Sequence, residues 1–180
     1  MRADAAINKR QLLDSAAQLL AEQGPQVSLR TIARYAGVGV ATLYRHFPTR
    51  EALVLDTMSQ VADVARWFRE GEASRQRWRE FAERLGSLRI GALQDRFADD
   101  APQLAEFASV LDRRARTLEE VEAALAHAHD AGLVRDDVLA VRFIMGIAVV
   151  ARPLPGRAAE MVPDQAEWLM TTYLAGLAPR

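Results

Sequence analysis

Apolar residues recur every three or four positions along most of this chain, which is the spacing of one buried face of an α-helix. No stretch shows the strict alternation of a half-buried strand. The pattern therefore predicts an all-α fold of about nine helices, preceded by a loose arm over residues 1–7. The predicted helices cover about residues 7–23, 28–36, 40–46, 49–70, 75–97, 102–111, 111–132, 137–152 and 164–177.

Two short helices separated by a few residues predict a helix-turn-helix within residues 28–50. Ser28 is suited to cap the first helix by accepting a hydrogen bond from the backbone amide of residue 30 or 31. Gly37 and Gly39 suit the bend, because glycine enters the left-handed region without a steric penalty. The preceding helix, with Leu13, Ala16, Ala17 and Leu20 on one face, is expected to close a small core beneath the motif.

The second helix of the motif, about residues 40–46, has an inward face and a small outward face when it is drawn at 100° per residue. Leu43 and Phe47 fall on the inward face. The outward face could enter a DNA major groove, where Arg45 would donate to guanine O6 and N7. Ala41 or the methyl of Thr42 would lie against a thymine methyl.

Residues beside this face suit the DNA backbone. Tyr44 and His46 carry donors on its two flanks, and phosphate contacts there fix register without reading sequence. Thr49 is expected to cap the fourth helix, whose free N-terminal amides beside Arg50 would form a phosphate site, although an ordinary capped helix start is the alternative. The predicted DNA contacts are Arg30, Val40, Ala41, Thr42, Tyr44, Arg45, His46, Thr49 and Arg50.

The segment AGVGVATLYRHFPTREAL resembles the signature of TetR-type (tetracycline-repressor-like) bacterial regulators. The resemblance covers about residues 8–58, and beyond them only the helical architecture and the length are similar. Position 39 is Gly where the family often has Ser, which should weaken the helix cap by about a few tenths of a kcal/mol. Arg50 stands where the family usually has Lys and keeps the phosphate-binding charge.

Charge is distributed unevenly along the chain, and this supports a DNA-binding front. Residues 1–50 hold seven Lys and Arg against three acidic residues, a net charge of +4, whereas the whole chain carries −1 and the remainder therefore −5. A basic front on an acidic body is expected of a protein that binds DNA with one half only. Within the front, Arg2, Lys9 and Arg10 could also follow the DNA backbone, although a frayed terminus is an equal alternative.

The fourth helix, about residues 49–70, is predicted to be long and one-sided and to link the two halves. We therefore expect a DNA-binding domain over residues 1–50 and a helical effector-binding and dimerisation domain over residues 51–180. A tilt of the linking helix would change the spacing of the DNA-reading heads. On the next helix, the charged face containing Arg77 is expected to be solvated.

The segment VLAVRFIMGIAVVAR is apolar almost all round, so its helix needs cover on two sides. Asp136 or Asp137 is expected to cap this helix. A second copy of the protein could supply one of the two covers, and the terminal helices resemble the four-helix dimer interface of TetR-type proteins. We expect a homodimer through residues 137–152 and 164–177, because two identical reading heads need a two-fold partner to read half-sites about 34 Å apart.

A ligand pocket is expected among core-facing residues of the C-terminal helices, although a filled core is the alternative. Arg142 or Arg152 could meet an anionic ligand. The last helix is expected to bury Ala166, Leu169, Tyr173 and Leu177. The candidate pocket residues are Trp78, Phe81, Leu85, Phe107, Leu111, Phe143 and Ile147.

No enzyme, cofactor or metal site is predicted. The chain has no cysteine, no phosphate-cradling glycine loop, no HExxH and no nucleophile elbow. His127 and His129 face different ways on a helix and are expected to be surface residues. The longest apolar run, nine residues from Phe143 to Ala151, is too short to span a bilayer, so a cytoplasmic protein without a membrane partner is expected.

These patterns predict a sequence-specific regulator that binds double-stranded DNA as a homodimer. The family resemblance implies repression at a palindromic operator and release by a small-molecule effector of unknown identity. Two alternatives remain at this point: a ligand-binding helical dimer without regulated DNA release, and a structural dimer with no ligand.

Overall fold

A computed structural model describes residues 2–23, 27–88, 108–152, 154 and 157–179. Those residues form nine α-helices and no strand, which confirms the all-α prediction. The helices are α1 (Arg2–Gln23), α2 (Leu29–Tyr35), α3 (Val40–His46), α4 (Arg50–Arg69), α5 (Arg75–Ser87), α6 (Ala108–Asp130), α7 (Ala140–Val150), α8 (Arg157–Met161) and α9 (Gln165–Leu177). Residues 24–26, which follow the first predicted helix, lie outside the described residues.

The first three helices and the start of α4 enclose a small apolar core, as predicted. The first helix begins at Arg2, so the predicted loose arm is wrong, because alanines at positions 3, 5 and 6 favour a helix. Leu13 and Ala16 of its predicted stripe are buried, whereas the side chains of Ala17 and Leu20 lie outside those described. Leu12 and Leu19 are buried as well, which the prediction missed. The core comprises Leu12, Leu13, Ala16, Leu19, Val27, Ile32, Ala33, Val38, Leu43, Phe47 and Leu53.

A second, larger core lies among α4, α5, α6, α7 and α9. The helix α4 contributes Leu53 to the first core and Val61, Ala65 and Phe68 to the second. It runs along α6, and Glu120 of that helix forms ion pairs with Arg66 and Arg69 of α4. The predicted long linking helix is therefore part of both cores.

Two predicted boundaries in the middle of the chain are wrong. The helix predicted over residues 75–97 ends at Ser87, where the side chain of Ser87 donates to the carbonyl of Arg84, and residues 89–97 lie outside the described part. The predicted break near Leu111 is absent, since α6 runs without interruption from Ala108 to Asp130.

The end of α6 matches its prediction. Gly132 has φ 67°, and the amide of Leu133 donates to the carbonyl of Ala128 at 2.9 Å while that of Gly132 donates to His129 at 2.8 Å. These two bonds make the Schellman arrangement.

The last three helices differ from their predictions in detail. Neither Asp136 nor Asp137 caps α7, because the N-cap residue is Leu139. Asp137 forms an ion pair with Arg135 at 2.6 Å instead. The short helix α8 occupies part of a predicted loop. On α9 the buried residues are Met170, Leu174 and Leu177, whereas Ala166 is exposed and Leu169 and Tyr173 are half-buried.

Two polar residues expected at the surface join helices instead. Arg77 donates to the carbonyls of Trp67 and Phe68 at the end of α4, and its guanidinium lies 4.0 Å from the centre of the Trp67 ring. His127 Nε2 lies 2.9 Å from the carbonyl oxygen of Gly71. Carbonyls in the last turn of α4 and just beyond it therefore bind both side chains, since acceptors at a helix end need partners.

Candidate nucleic-acid interface

The turn between α2 and α3 is held by backbone and side-chain hydrogen bonds of the predicted kind. Ser28 Oγ accepts from the amide of Thr31 at 3.0 Å and so caps α2. Gly37 has φ 66°, and the amide of Val38 donates back to the carbonyl of Ala33 at 2.9 Å. The left-handed glycine ends α2 and redirects the chain into α3.

Gly39 does not use the left-handed region, so that part of the turn prediction is wrong. Its φ is −59° and ψ is 137°, which any residue adopts, and Gly39 serves as the N-cap of α3. Its carbonyl accepts from the amides of Thr42 and Leu43 at 2.9 and 3.0 Å. With no side chain to accept a further amide, the cap lacks one hydrogen bond.

The two faces of α3 are separated as predicted. Leu43 is fully buried and Phe47 is 2% exposed, so they anchor the helix to the small core. Ala41 and Arg45 are exposed, and Thr42 is partly exposed. The helix α3 thus has two apolar anchors on its buried face, and small residues surround one arginine on its exposed face. A helix of this shape fits a major groove.

The flanks of α3 differ from each other. Val40 and Tyr44 are 39% and 44% exposed, so the Tyr44 hydroxyl is available to a phosphate. His46 is half-buried, and its Nε2 atom is shielded from solvent without a hydrogen-bond partner in the described part of the chain. Its ring is tilted 47° against that of Phe47 at 6.2 Å. His46 therefore turns one nitrogen towards the protein.

The start of α4 has the predicted cap. Thr49 Oγ1 accepts from the amide of Ala52 at 3.2 Å, and Thr49 itself is exposed. The helix begins at Arg50, whose side chain lies outside those described. The capped start of α4 thus lies directly after α3, where its backbone amides can face a phosphate.

The helix α2 presents a basic face, of which only Arg30 was a predicted DNA contact. Arg30 and Arg34 are both exposed and lie one turn apart, and neither forms an ion pair with another described residue. Their spacing of four was the signal that could have identified Arg34. Lys9 behaves differently, because its ammonium pairs with Asp56 of α4 at 3.0 Å and joins α1 to α4.

The candidate pocket residues converge in the second core where the structure describes them. Trp78, Phe81, Leu85, Phe143 and Ile147 are all buried there, whereas Arg142 and Arg152 are exposed. Phe107 lies outside the described residues, and so does the side chain of Leu111.

Several large apolar side chains are exposed on the last helices and the segments beside them. Val141 and Val149 lie two turns apart on α7 and are 41% and 72% exposed, and Trp168 of α9 is 58% exposed. We refer to these three residues with Leu139, Met161 and Val162 as the terminal apolar patch. Large apolar side chains left exposed at a protein surface suit contact with a partner.

Other kinds of site find no support in the part of the chain that the structure describes. No group of three or more His, Asp or Glu side chains there could hold a metal ion. No helix among the described residues is long and apolar enough to cross a membrane.

Comparison with known proteins assigns the N-terminal region. Residues 12–57 match the family model for bacterial regulatory proteins of the tetR family. A search of curated proteins found no match.

Solved structures of similar fold cover almost the whole chain. A TetR transcriptional regulator from Streptomyces coelicolor has 28% identity over 95% of this chain and 98% of its own, with a TM-score of 0.62. A TetR transcription regulatory protein from Mycobacterium vanbaalenii has 29% identity over 99% of both chains, with a TM-score of 0.57. A ketosteroid transcriptional regulator from Mycobacterium tuberculosis, with 22% identity over 96% of this chain and 95% of its own and a TM-score of 0.54, is similar in fold.

The helix-turn-helix geometry, the family model and the two structures therefore agree on one assignment. Residues 12–57 match the TetR family of bacterial regulatory proteins, and almost the whole chain is similar to two TetR transcriptional regulators.

Proposed function

We propose that this DNA-binding transcription regulator is a repressor that binds a palindromic operator as a homodimer and releases it when a small molecule binds. We further propose that residues 1–50 bind DNA and residues 51–180 bind the effector and form the dimer. The observation that carries the proposal is the outward face of α3, where Ala41, Thr42 and Arg45 are accessible while Leu43 and Phe47 hold the helix from behind.

The contacts proposed for DNA fall into two groups. Arg45 reads base edges from the last turn of α3, with Ala41, Val40 and Thr42 against the groove floor. Phosphates are held by Arg30, Tyr44, His46, Thr49 and Arg50 around this face. Arg34, exposed on α2 beside Arg30, joins the second group.

The terminal apolar patch supports the proposed homodimer. Val141, Val149 and Trp168 present apolar surface on α7 and α9, and a second copy would bring an identical patch by two-fold symmetry. Val149→Asp together with Trp168→Asp is expected to convert the dimer to a monomer in analytical ultracentrifugation. Ala126→Asp, at an exposed position of α6, introduces an aspartate outside the patch as a control and should leave the mass unchanged.

DNA binding is tested most simply by titrating labelled duplex genomic fragments at several salt concentrations and following fluorescence anisotropy. Binding should weaken steeply as salt rises, because each phosphate contact releases counterions. Arg34→Ala should lower the slope of log affinity against log salt by about one unit, whereas Arg75→Ala, an exposed arginine of α5, should leave it unchanged. Absence of binding at low salt would refute the proposal and favour a ligand-binding dimer without regulated DNA release.

A further inference from the structure

Four aromatic rings from three helices meet in the second core. We call Phe68 of α4, Trp78 and Phe81 of α5, and Phe143 of α7 the aromatic cluster. Phe68 stacks on Phe81 with centroids 4.8 Å apart, and Trp78 stacks on Phe143 at 5.1 Å. Trp78 and Phe143 each lie 5.7 Å from Phe81. The cluster therefore connects the helix that follows the DNA-reading motif to the helices of the body.

Trp78 contributes a polar atom that the core does not satisfy. Its side chain is buried, with 5% of the residue exposed, and its Nε1–H has no hydrogen-bond partner among the described residues. Buried tryptophan N–H groups usually find an acceptor, and an unpaired donor is costly. Such a group in a native core needs an explanation.

Neighbouring polar groups of the second core are engaged elsewhere. Thr117 Oγ1 donates to the carbonyl of Arg113 at 2.8 Å, and the Tyr173 hydroxyl donates to the carbonyl of Phe143 at 3.2 Å. His127 Nε2 faces the carbonyl of Gly71 at 2.9 Å. The indole N–H of Trp78 is thus a buried donor without a hydrogen-bond partner in the described part of the second core.

We infer that the Trp78 N–H is the polar anchor of the effector site, and that the effector is a neutral, ring-bearing apolar molecule with an acceptor oxygen such as a ketone. This inference rests on the proposed effector release and specifies its chemistry. The oxygen would accept from Trp78 Nε1, and the rings of the ligand would pack against those of the cluster.

The surroundings of the cluster argue for a neutral ligand. Thr117 is the only polar residue among the buried residues that the structure describes, and no charged side chain is among them. An ionised ligand would lose its hydration without a compensating charge. Arg142 and Arg152, the candidates for an anionic ligand, are both exposed.

Matched pairs of probes test the inference, with each ketone compared with the hydrocarbon of the same ring system. The pairs are indanone with indane and fluorenone with fluorene, titrated into the full-length protein by isothermal calorimetry. The ketone of at least one pair should bind about three- to tenfold more tightly than its hydrocarbon, the contribution of one neutral hydrogen bond. The bound ketone should also shift the indole N–H resonance of Trp78 in a heteronuclear NMR spectrum.

Substitution of the anchor provides the second part of the test. Trp78→Phe keeps an aromatic ring and removes the N–H, so the ketone and the hydrocarbon should then bind equally. Trp67→Phe, at a tryptophan flanked by two guanidinium groups outside the cluster, is the control and should keep the preference for the ketone.

Three results would each overturn the inference: equal affinities within both pairs, no binding by any probe, or an unmoved Trp78 resonance. The anisotropy titration with genomic DNA is independent of these measurements. A protein that prefers ketones but does not bind DNA would keep the ligand chemistry and refute the proposed function. A protein that binds DNA without preferring ketones would keep the proposed DNA binding and refute the inferred ligand chemistry.

Discussion

Two glycines in the same turn meet different conformational demands. Gly37 has φ 66°, a conformation that costs a residue with a Cβ roughly 1–2 kcal/mol, whereas Gly39 has ordinary backbone angles and serves as a cap without a side chain. A Cβ at Gly39 would lie 3.8 Å from Thr42 Oγ1, which is normal van der Waals contact. The first glycine is required by the turn, and the second is replaceable.

The substitution Gly39→Ser should therefore stabilise the protein. A serine hydroxyl at the N-cap can accept an amide of the first turn of α3, which is worth about a few tenths of a kcal/mol relative to glycine. Urea denaturation of the two proteins measures the difference. Gly37→Ser is the comparison and should destabilise, because its φ is positive. A loss of stability in Gly39→Ser would contradict the assignment of Gly39 as an N-cap with room for a side chain.

Arg45 and Arg50 should affect DNA binding differently if the proposed roles are right. Arg45→Ala should cost about 1–3 kcal/mol at one base position and relax the preference there, since a bidentate contact to guanine is lost. Arg50→Ala should weaken binding to all sequences alike. Competition titrations with a set of single-base operator variants distinguish these results. An unchanged base preference in Arg45→Ala would show that another residue reads the sequence.

Residue patterns predicted the caps and anchors well because those contacts are local. Ser28, Thr49, Leu43 and Phe47 depend on neighbours within one or two helical turns, so spacing alone indicates what they do. The inward turn of His46 Nε2 and the recruitment of Arg77 by the end of α4 depend on how separate helices pack, which spacing cannot indicate.

The helices α7 and α9 approach each other closely at Gly146. The Tyr173 ring of α9 lies over Gly146, and its hydroxyl donates to the carbonyl of Phe143 at 3.2 Å. Because the prediction for α9 considered that helix alone, it identified Leu177 as buried but missed Met170 and Leu174. The face that an amphipathic helix buries depends on the helix against which it packs.

Gly146→Ala should destabilise the protein by about 1–3 kcal/mol, because the new methyl group would overlap the Tyr173 hydroxyl and force the two helices apart. Gly176→Ala is a matched control in the same helix pair, where a Cβ meets nothing within 4 Å. It should stabilise α9 by about 0.5–1 kcal/mol through helix propensity. Equal effects of the two substitutions in thermal unfolding would refute the close packing of Tyr173 on Gly146.

Alkaline pH should weaken the same contact. Burial raises the pKa of the Tyr173 hydroxyl above its ordinary value of 10.0, and the opposing effect of Arg135 is smaller. The folded protein thus holds this proton more tightly than the unfolded chain, so the associated stability is present below pH 10 and is lost as pH rises through the raised pKa. Urea denaturation should show a smaller alkaline loss in Tyr173→Phe than in the wild type. An identical loss in both would exclude this group as a source.

At the scale of the whole molecule, α4 belongs to both cores and can couple them. Its first turn follows the reading helix, and its last turn places Phe68 in the aromatic cluster. A ligand that displaces Phe68 would act on the same rigid helix that carries the first core through Leu53. In the proposed dimer, a tilt of two such helices would change the spacing of the reading heads.

The fold class and the position of the reading head were predictable from the sequence, whereas the assembly was only partly so. The apolar segment of α7 indicated two covered sides, and the structure buries Phe143, Ile144 and Ile147 on one of them while Val141 and Val149 stay exposed. Which side faces its own domain depends on the packing of α5 and α9, and this information is distributed along the chain.

Selection of bound sites from random-sequence duplex DNA tests the proposed function as a whole, because the bound sequences report base recognition, dimerisation and half-site spacing together. The wild-type protein should enrich a palindrome whose half-sites lie about one helical turn apart, roughly 34 Å. Arg45→Ala should lose the preference at one symmetric pair of positions. Enrichment of no sequence would refute sequence-specific binding, and enrichment of a single half-site without symmetry would refute binding as a two-fold dimer.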